Sequence, residues 1–511
     1  MTSFILNNKT LKTSASEGMT LLDFIRNEQH LKGTKSGCRE GDCGACSILV
    51  GALQGDEVVY KSMTSCLMPL ANATGKHIVT VEGINMNEAL KINNENPLFL
   101  TPVQAAMHEE GATQCGFCTV GFVMSLTGLS LENKAVEYSD AIESIDGNIC
   151  RCTGYKSIER AAQRLTNLLK TREVHGSALD FAIKNQIVPP YFREIKNRLL
   201  ALNADNSADL SLENNPAIVG GGTDLYVQKH AQMPHTPSAC LSGRQVFLLK
   251  NQDLTIEYPA KIILQNGFFE MSNAVTVSDM KASSALNGAF PFLQKQLKLV
   301  SSTPIRNMAT IAGNLVNASP IGDMTIWFLA SDATIFLQKL PTEGQNTCLP
   351  DRQAEGVIRE IALKDFYKGY KTLAKTADEI LTKIRFKNPE YGNTHFNFEK
   401  VCKRTYLDIA SVNTAIFLET NKENSIVKVG VSIGGVAPIP LFLTKTTAFL
   451  KGKKIVYGEK VAWFKEANRV LQSEINPISD VRGSADYKRL LATQLFKAHF
   501  VELFATTDFT D

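Results

Sequence analysis

Gly37-Cys-Arg-Glu-Gly-Asp-Cys-Gly-Ala-Cys46 carries three cysteines in the spacing C-x4-C-x2-C, and Cys66 completes a set of four after 19 intervening residues. This is the plant-type spacing for a 2Fe–2S cluster. Three thiolates that converge on one small inorganic core force the chain to wrap tightly. Gly37, Gly41 and Gly44 permit the positive φ and close backbone approach that such a wrap needs. Backbone N–H groups in the loop can then point at the sulfurs and offset their charge. A structural zinc site with four cysteines is the alternative. Zinc motifs usually use paired C-x2-C knuckles, which a C-x4-C loop with three glycines fits poorly.

A second set follows. Gln114-Cys-Gly-Phe-Cys-Thr119 gives C-x2-C at Cys115 and Cys118, and Asn148-Ile-Cys-Arg-Cys-Thr-Gly154 gives C-x-C at Cys150 and Cys152. Predicted helices lie between the pairs, so the ligands sit at helix ends of a small bundle. On spacing alone zinc is a serious rival here. A thioredoxin-like role for Cys115 and Cys118 needs a βαβ context that is missing. The ferredoxin-like motif upstream favours a second cluster, because a redox wire needs more than one stop. Eight of the 11 cysteines thus precede residue 153, a distribution that reads as metal ligation in a reducing compartment. Cys240, Cys348 and Cys402 read as buried core thiols.

Composition agrees. The 511 residues are 44% hydrophobic and 21% charged, which excludes a disordered or coiled-coil chain. A formal charge of +3 gives no electrostatic case for nucleic acid or an anionic membrane. There is no run of about 18 apolar residues that would predict a membrane span. The first residues lack the pattern of a secretory signal, so a cytoplasmic location is expected.

Around the first set, short alternating runs at Ser3–Leu6, Ser47–Val50, Glu57–Tyr60 and Ile78–Val81 predict strands. Thr20 reads as an N-cap, with Asp23 three residues on. Around the second set, Thr101-Pro102 reads as an N-cap followed by proline at the first helical position. Further helices are predicted over 119–128, 135–145 and 157–170. A polar stretch over 173–215 reads as a linker with scattered helical turns. From about 217 to 390 short apolar runs broken by Gly, Asn, Ser and Pro suggest a mixed α/β domain. The last 120 residues mix a strand at Ile426–Ile433 with helices at Lys460–Glu474 and Ala485–Phe504.

The two cysteine blocks, in this order, resemble the iron–sulfur portion of the xanthine dehydrogenase and aldehyde oxidase family of molybdenum hydroxylases. One departure is Val120, where the family has proline after Gln-Cys-Gly-Phe-Cys-Thr. Gln114 matches a family residue placed near the molybdenum pterin cofactor. The resemblance continues downstream. Ala217-Ile-Val-Gly-Gly-Gly-Thr-Asp-Leu225 has glycines whose N–H groups can cradle a pyrophosphate, though not in a Rossmann spacing. Ser301 through Asp323 resembles the family's second FAD loop, with Ala312 in place of the first glycine. By resemblance the FAD residues are Val219, Gly220, Gly221, Gly222, Thr223, Asp224 and Leu225, then Thr310, Ile311, Ala312, Gly313, Asn314, Ser319 and Asp323. Two later segments supply Leu381, beside the isoalloxazine, and Lys400. Ser479-Asp-Val-Arg-Gly-Ser-Ala-Asp-Tyr-Lys488 resembles a stretch typical of bacterial small subunits.

The fold this implies is α+β and multidomain. It consists of a β-grasp 2Fe–2S ferredoxin domain (1–84), a helical-bundle 2Fe–2S domain (85–172), the linker (173–215), a PCMH/VAO-type FAD-binding α/β domain (216–390) and a C-terminal α+β flavoprotein domain (391–511). The function implied is electron transfer through two 2Fe–2S clusters and FAD, with NAD or dioxygen as acceptor and NAD preferred. The molybdenum pterin cofactor and a purine substrate would lie on a molybdenum-binding large subunit, in a dimer of heterodimers. No acid–base catalytic residue is expected in this chain. The rivals are a small subunit of an aldehyde, nicotinate or other aromatic hydroxylase, a stand-alone flavin–iron–sulfur carrier, and a zinc-stabilised flavin-binding module.

Overall fold

The alternating apolar runs of the first 84 residues pair into one mixed sheet. Strands β1 (Thr2–Leu6), β2 (Lys9–Thr13), β3 (Ser47–Gln54), β4 (Glu57–Thr64) and β5 (His77–Val79) take the order β2-β1-β5-β3-β4. The β1–β5 pair is parallel and the others are antiparallel. Thr20 caps the helical segment that crosses this sheet, its side chain accepting the Asp23 N–H. Leu21, Leu22, Phe24 and Ile25 of that segment pack on Phe4, Ile48, Val50 and Ile78. Two differences from the sequence reading have local causes. Lys9-Thr-Leu-Lys-Thr13 forms an edge strand with a largely exposed, polar sequence, so its periodicity is weak. Strand β5 ends at Val79, because Thr80 is held by Asn7 and a short helix begins at Val81.

This computed structural model describes residues 2–85, 100–173, 176–204, 219–229, 233, 262–339, 358–389, 393–459 and 461–505. They fall into two compact units, Met1–Leu249 with Ser302–Met308, and Lys250–Ser301 with Ala309–Asp511. Among the described residues no helix is long and apolar enough to cross a membrane.

The first unit also holds the predicted helices. Thr101 and Gln104 form a reciprocal capping box at the start of Pro102–Glu109. Thr119–Ser130 is buried nearly all round, and its Thr127 and Ser130 hydroxyls donate to carbonyls four residues back. Lys156–Leu169 is amphipathic, burying Ile158, Ala161, Ala162, Leu165 and Leu169 at helical spacing. The stretch read as a linker is partly a correction. Ala178–Lys184 and Ile195–Ala204 are helices, and Ile187, Val188, Phe192, Ile195 and Leu199 are buried. The apolar residues among the polar ones therefore pack, which a composition reading averages away.

The second unit contains two antiparallel sheets. The first joins β6 (Ile262–Gln265), β7 (Phe268–Ser272), β8 (Thr334–Lys339), β9 (Ile358–Ala362) and β12 (Glu379–Lys387) in the order β6-β7-β12-β8-β9. A small hairpin of β10 (Tyr367–Gly369) and β11 (Thr372–Leu373) lies between β9 and β12 in sequence. Phe269, Phe290, Trp327, Phe328 and Phe386 form the aromatic core against the five-stranded sheet. The second sheet runs β13 (Thr394–Val401), β14 (Val412–Thr420), β15 (Ile426–Gly434) and β16 (Leu441–Phe442) in chain order. Helices Phe464–Glu474 and Ala485–Phe504 pack with it. Lys460, the predicted start of the first, lies outside the described residues.

Among the described residues one fully buried histidine sits in each unit. The Tyr60 hydroxyl donates to His77 Nδ1 at 2.8 Å, and His77 Nε2 donates to the Asn7 carbonyl at 2.9 Å. In the second unit Asn397 Nδ2 donates to His499 Nδ1 at 3.2 Å, and His499 Nε2 faces the Thr414 hydroxyl at 3.4 Å. Burial pushes both imidazoles down to about 3. In the unfolded chain they titrate near their ordinary value, so below about pH 6.5 that state takes up protons the fold refuses. Stability of each unit is therefore expected to fall from about pH 6.5 towards pH 3, by up to about 1.4 kcal/mol per pH unit for each histidine. Urea denaturation followed across that range checks it, and His77→Gln should flatten the slope for the first unit only.

Candidate redox sites

The loop from Gly37 to Cys46 is built for close approach. Gly41 and Gly44 have φ of +81° and +67°, and a Cβ on Gly37 would lie 2.7 Å from Cys43 Sγ. Its N–H groups do point at sulfur, as the spacing requires. The Glu40 and Cys43 amides donate to Cys38 Sγ at 3.3 and 3.4 Å, and the Cys38 amide donates to Cys43 Sγ at 3.4 Å. The Cys43 thiol pulls Cys38 down to about 5 against the effect of burial, and these amides add to the pull. Arg39, between the ligands, adopts a positive φ of 59° and forks onto Asp23 at 2.6 and 3.0 Å. Sequence reading passed over Arg39. Its only signal was a cation beside a ligand cysteine with an acidic residue at a helix start.

The second set sits at helix ends as expected. Cys118 is the N-cap of Thr119–Ser130, and Val120 occupies its second turn-forming position, where proline is equally at home. Gly116 and Gly154 have φ of +80° and +68°, and Tyr155 adopts 68° while its hydroxyl accepts the Cys150 amide. Thr153 supplies its amide to Cys150 Sγ at 3.5 Å, with its hydroxyl 3.2 Å away. Burial pushes Cys118 up to about 12. Cys115 and Cys152 are exposed.

The sulfurs group in twos. Cys38 contacts Cys43, Cys46 contacts Cys66, Cys118 contacts Cys150, and Cys115 Sγ lies 3.6 Å from Cys152 Sγ. Among the described residues no three Cys, His, Asp or Glu converge on a single point as a mononuclear metal requires. Two pairs per set is the donor pattern of a dinuclear centre, with two thiolates for each iron. The residues present therefore suit 2Fe–2S clusters better than zinc. Cys402 departs from expectation: it is only half-buried, its thiol donating to the Arg404 carbonyl at 2.7 Å. Cys240 and Cys348 lie outside the described residues.

The two expected flavin loops belong to different units. In the first, Val219 is buried against the ferredoxin core, while Ala217 and Ile218 lie outside the described residues. Gly222, at φ +77°, packs so closely on Leu67 that a Cβ would come 2.7 Å from its carbonyl oxygen. In the second unit Thr310 caps Ile311–Asn317 by accepting the Gly313 amide. Asn314 Oδ1 accepts the amide and hydroxyl of Thr325 at 3.1 Å each, and Ser319 Oγ accepts the Ile321 amide. Asp323 and Lys400 meet: Lys400 Nζ donates to Asp323 Oδ2 and to the Leu299 carbonyl, both at 2.8 Å, and Asn413 donates to Asp323 Oδ1 at 2.6 Å. Leu381 is buried in β12, its carbonyl accepting from Asn273. Asn273 Oδ1 and Asn413 Oδ1 are buried acceptors with no hydrogen-bond partner among the described residues, as hydroxyl-bearing cofactor contacts would require. Sequence reading missed both asparagines.

Comparison with known proteins places these features in one family. Residues 4–71 match the 2Fe-2S iron-sulfur cluster binding domain and residues 80–163 the [2Fe-2S] binding domain. Residues 200–388 match the FAD binding domain in molybdopterin dehydrogenase, and 398–503 the CO dehydrogenase flavoprotein C-terminal domain. The chain is 28% identical over 557 residues to xanthine dehydrogenase from Emericella nidulans, covering 96% of this chain and 38% of that protein. It is 27% identical over 550 residues to xanthine dehydrogenase 1 from Arabidopsis thaliana, covering 94% and 38%. The chain thus spans less than two fifths of the length of these curated relatives. Quinoline 2-oxidoreductase from Pseudomonas putida 86 is 21% identical with a TM-score of 0.45, covering 60% of this chain and 93% of that one. The chain carries the two iron–sulfur domains, the FAD-binding domain and the C-terminal flavoprotein domain of the molybdenum hydroxylase family.

The Lys400 side chain is 1% exposed and that of Asp323 12%. Removing one partner of such a pair strands the other charge in a poorly solvated site. Lys400→Met is therefore expected to destabilise the protein by about 3 kcal/mol or more, measured by urea denaturation, and Asp323→Asn to cost a similar amount, because it strands the buried ammonium and leaves Lys400 and Asn413 one acceptor oxygen between them.

Proposed function

We propose that this chain, with its iron–sulfur and flavin domains of the molybdenum hydroxylase family, is the electron-transfer small subunit of a xanthine dehydrogenase, working between a molybdenum-binding large subunit and NAD. In this reading Cys38, Cys43, Cys46 and Cys66 hold one 2Fe–2S cluster, and Cys115, Cys118, Cys150 and Cys152 the other. Val219 to Leu225, Thr310 to Asn314, Ser319, Asp323, Leu381 and Lys400 hold FAD. When bound, the clusters would pass electrons singly, and FAD would take them one at a time and give up a pair as hydride. This chain's residues contribute position, burial and hydrogen bonds, and no acid–base group.

The observation that carries the reading is the junction of the two ligand loops. The Ile149 amide donates to the Cys43 carbonyl at 3.0 Å, so a hydrogen bond links a ligand of one set to the neighbour of a ligand of the other. Asn148 Nδ2 donates to the Gly44 carbonyl at 3.2 Å beside it. On the far side of the first set, Leu67, which follows Cys66, is the residue against which Gly222 packs. The order helical set, ferredoxin set, first flavin loop is thus a continuous run of contacts within the first unit.

A molybdenum-bearing partner is supported at the other end of that run. Cys115, Cys152 and Gln114 are exposed, and so is Phe117 at 46%. Ile149 and Tyr155 add apolar surface around the same loops. A cluster left open to solvent on this side would lose electrons to any passing oxidant, and a covering subunit prevents that. The purine substrate would bind on the partner, and the complex would act in the cytoplasm as a dimer of such pairs.

Native purification tests the reading. About four irons and one FAD per chain are expected, with a larger molybdenum-containing chain co-purifying. Xanthine-dependent NAD reduction should need both chains. Gly37→Ala, which drives a methyl group at Cys43 Sγ, should lower iron to about two per chain, because only one cluster is displaced. Stoichiometric zinc in place of iron, or full activity of the chain alone, would defeat the proposal.

A further inference from the structure

Residues Ser302–Met308 belong to the first unit, although second-unit residues flank them on both sides in sequence. Within the first unit this short segment touches the first ligand loop, the strand that leads to Cys66 and the turn before Cys150. Ile305 Cδ1 lies against Gly41, where a Cβ would meet it at 2.7 Å, and Gly41 stands between Cys38 and Cys43. Pro304 and Ser302 close on Gly147 in the same way, at 2.8 and 3.0 Å, three residues before Cys150. Asn307 Nδ2 donates to the Ser62 carbonyl at 2.8 Å, and the Thr64 hydroxyl donates to Met308 Sδ at 3.6 Å, on the strand that leads to Cys66.

Arg306 holds the segment in place. Its side chain is 1% exposed, and Nη2 donates to Asp146 Oδ2 at 2.7 Å, Glu143 Oε1 at 3.2 Å and Thr303 Oγ1 at 2.7 Å. The Thr303 amide donates to Asp146 Oδ1 at 2.6 Å, and its hydroxyl to the Glu143 carbonyl at 2.9 Å. A buried ion pair adds little net stability over an apolar replacement, but it is satisfied in one register only. Here that register sets Ile305 over the first ligand loop and Pro304 over the turn before the second.

We propose that Ser302–Met308 is a strap that positions both cluster-binding loops, with Arg306 as the positioning residue that fixes its register. This rests on the reading of the two cysteine sets as 2Fe–2S sites. Its effect is on cluster environment, and the chemistry at any substrate is untouched.

Electron paramagnetic resonance of the dithionite-reduced full-length chain tests it, with iron content and thermal unfolding measured alongside. The unsubstituted chain should give two distinct 2Fe–2S signals. Arg306→Met should shift the g-values of both, and Arg306→Lys should restore them. Ile305→Ala, a milder change in case the arginine variant fails to fold, should shift only the signal of the Cys38–Cys66 cluster. Unshifted signals in both Ile305→Ala and a folded Arg306→Met would overturn the strap, as would a lowered melting temperature in Ile305→Ala with unchanged g-values. A lack of any 2Fe–2S signal in the unsubstituted chain would instead overturn the cysteine reading on which the strap rests.

Discussion

The two ligand loops meet through a backbone hydrogen bond, from the Ile149 amide to the Cys43 carbonyl, with the Asn148 side chain beside it. Gly44 and Gly121 approach so closely that a Cβ on either would overlap the chain opposite. Asn148 fills the junction, accepting from Ser125 Oγ at 2.8 Å while it donates to Gly44. Strand β3 starts one residue after Cys46, and the buried helix Thr119–Ser130 lies on it, with Gly128 against Leu49. Two stretches of chain that each carry four cysteines are thereby packed against one another within the first unit.

Close backbone contact matters for an electron path because coupling falls with the gap between bonded atoms, and a hydrogen bond shortens the gap at little cost in flexibility. It also restricts what can be substituted. Gly37, Gly41, Gly44 and Gly121 are each blocked by a neighbour, so the positions that tune the sites are the ones around them: Arg39 on Asp23, Thr153 on Cys150, Arg306 on Asp146. Arg39 and Arg306 fix a loop by a charged contact to a second element, and Thr153 by a polar contact within its own loop. In the second unit the Asp323–Lys400–Asn413 group does the same for the expected flavin residues.

Much of the local structure was legible from short-range signals. The cap at Thr20 lies where Asp23 three residues on puts it, that at Thr101 where the following proline puts it, and Ala485–Phe504 is a helix over the predicted span. The edge strand Lys9–Thr13 was not legible, because a polar edge carries no alternation to detect. The packed helices between 176 and 204 were hidden by the polar residues around them. At the sites, the eight cysteines could be read directly, whereas the roles of Arg39, Asn148, Asn273 and Asn413 could not, since their partners are distant in sequence.

Sequence alone determined which atoms are available: eight thiols in two spacings, glycines at the turns between them, and strands and helices that follow from patterns a few residues long. Tertiary structure decided how those atoms are shared. It paired the sulfurs two by two, set Asn148 against Gly44 across 104 residues, and laid Arg306 on Asp146 across 160. The physical reason is range. Backbone preference and hydrophobic periodicity act over one or two turns of chain, while a hydrogen bond or a glycine contact between distant segments exists only once both have been packed into the same core.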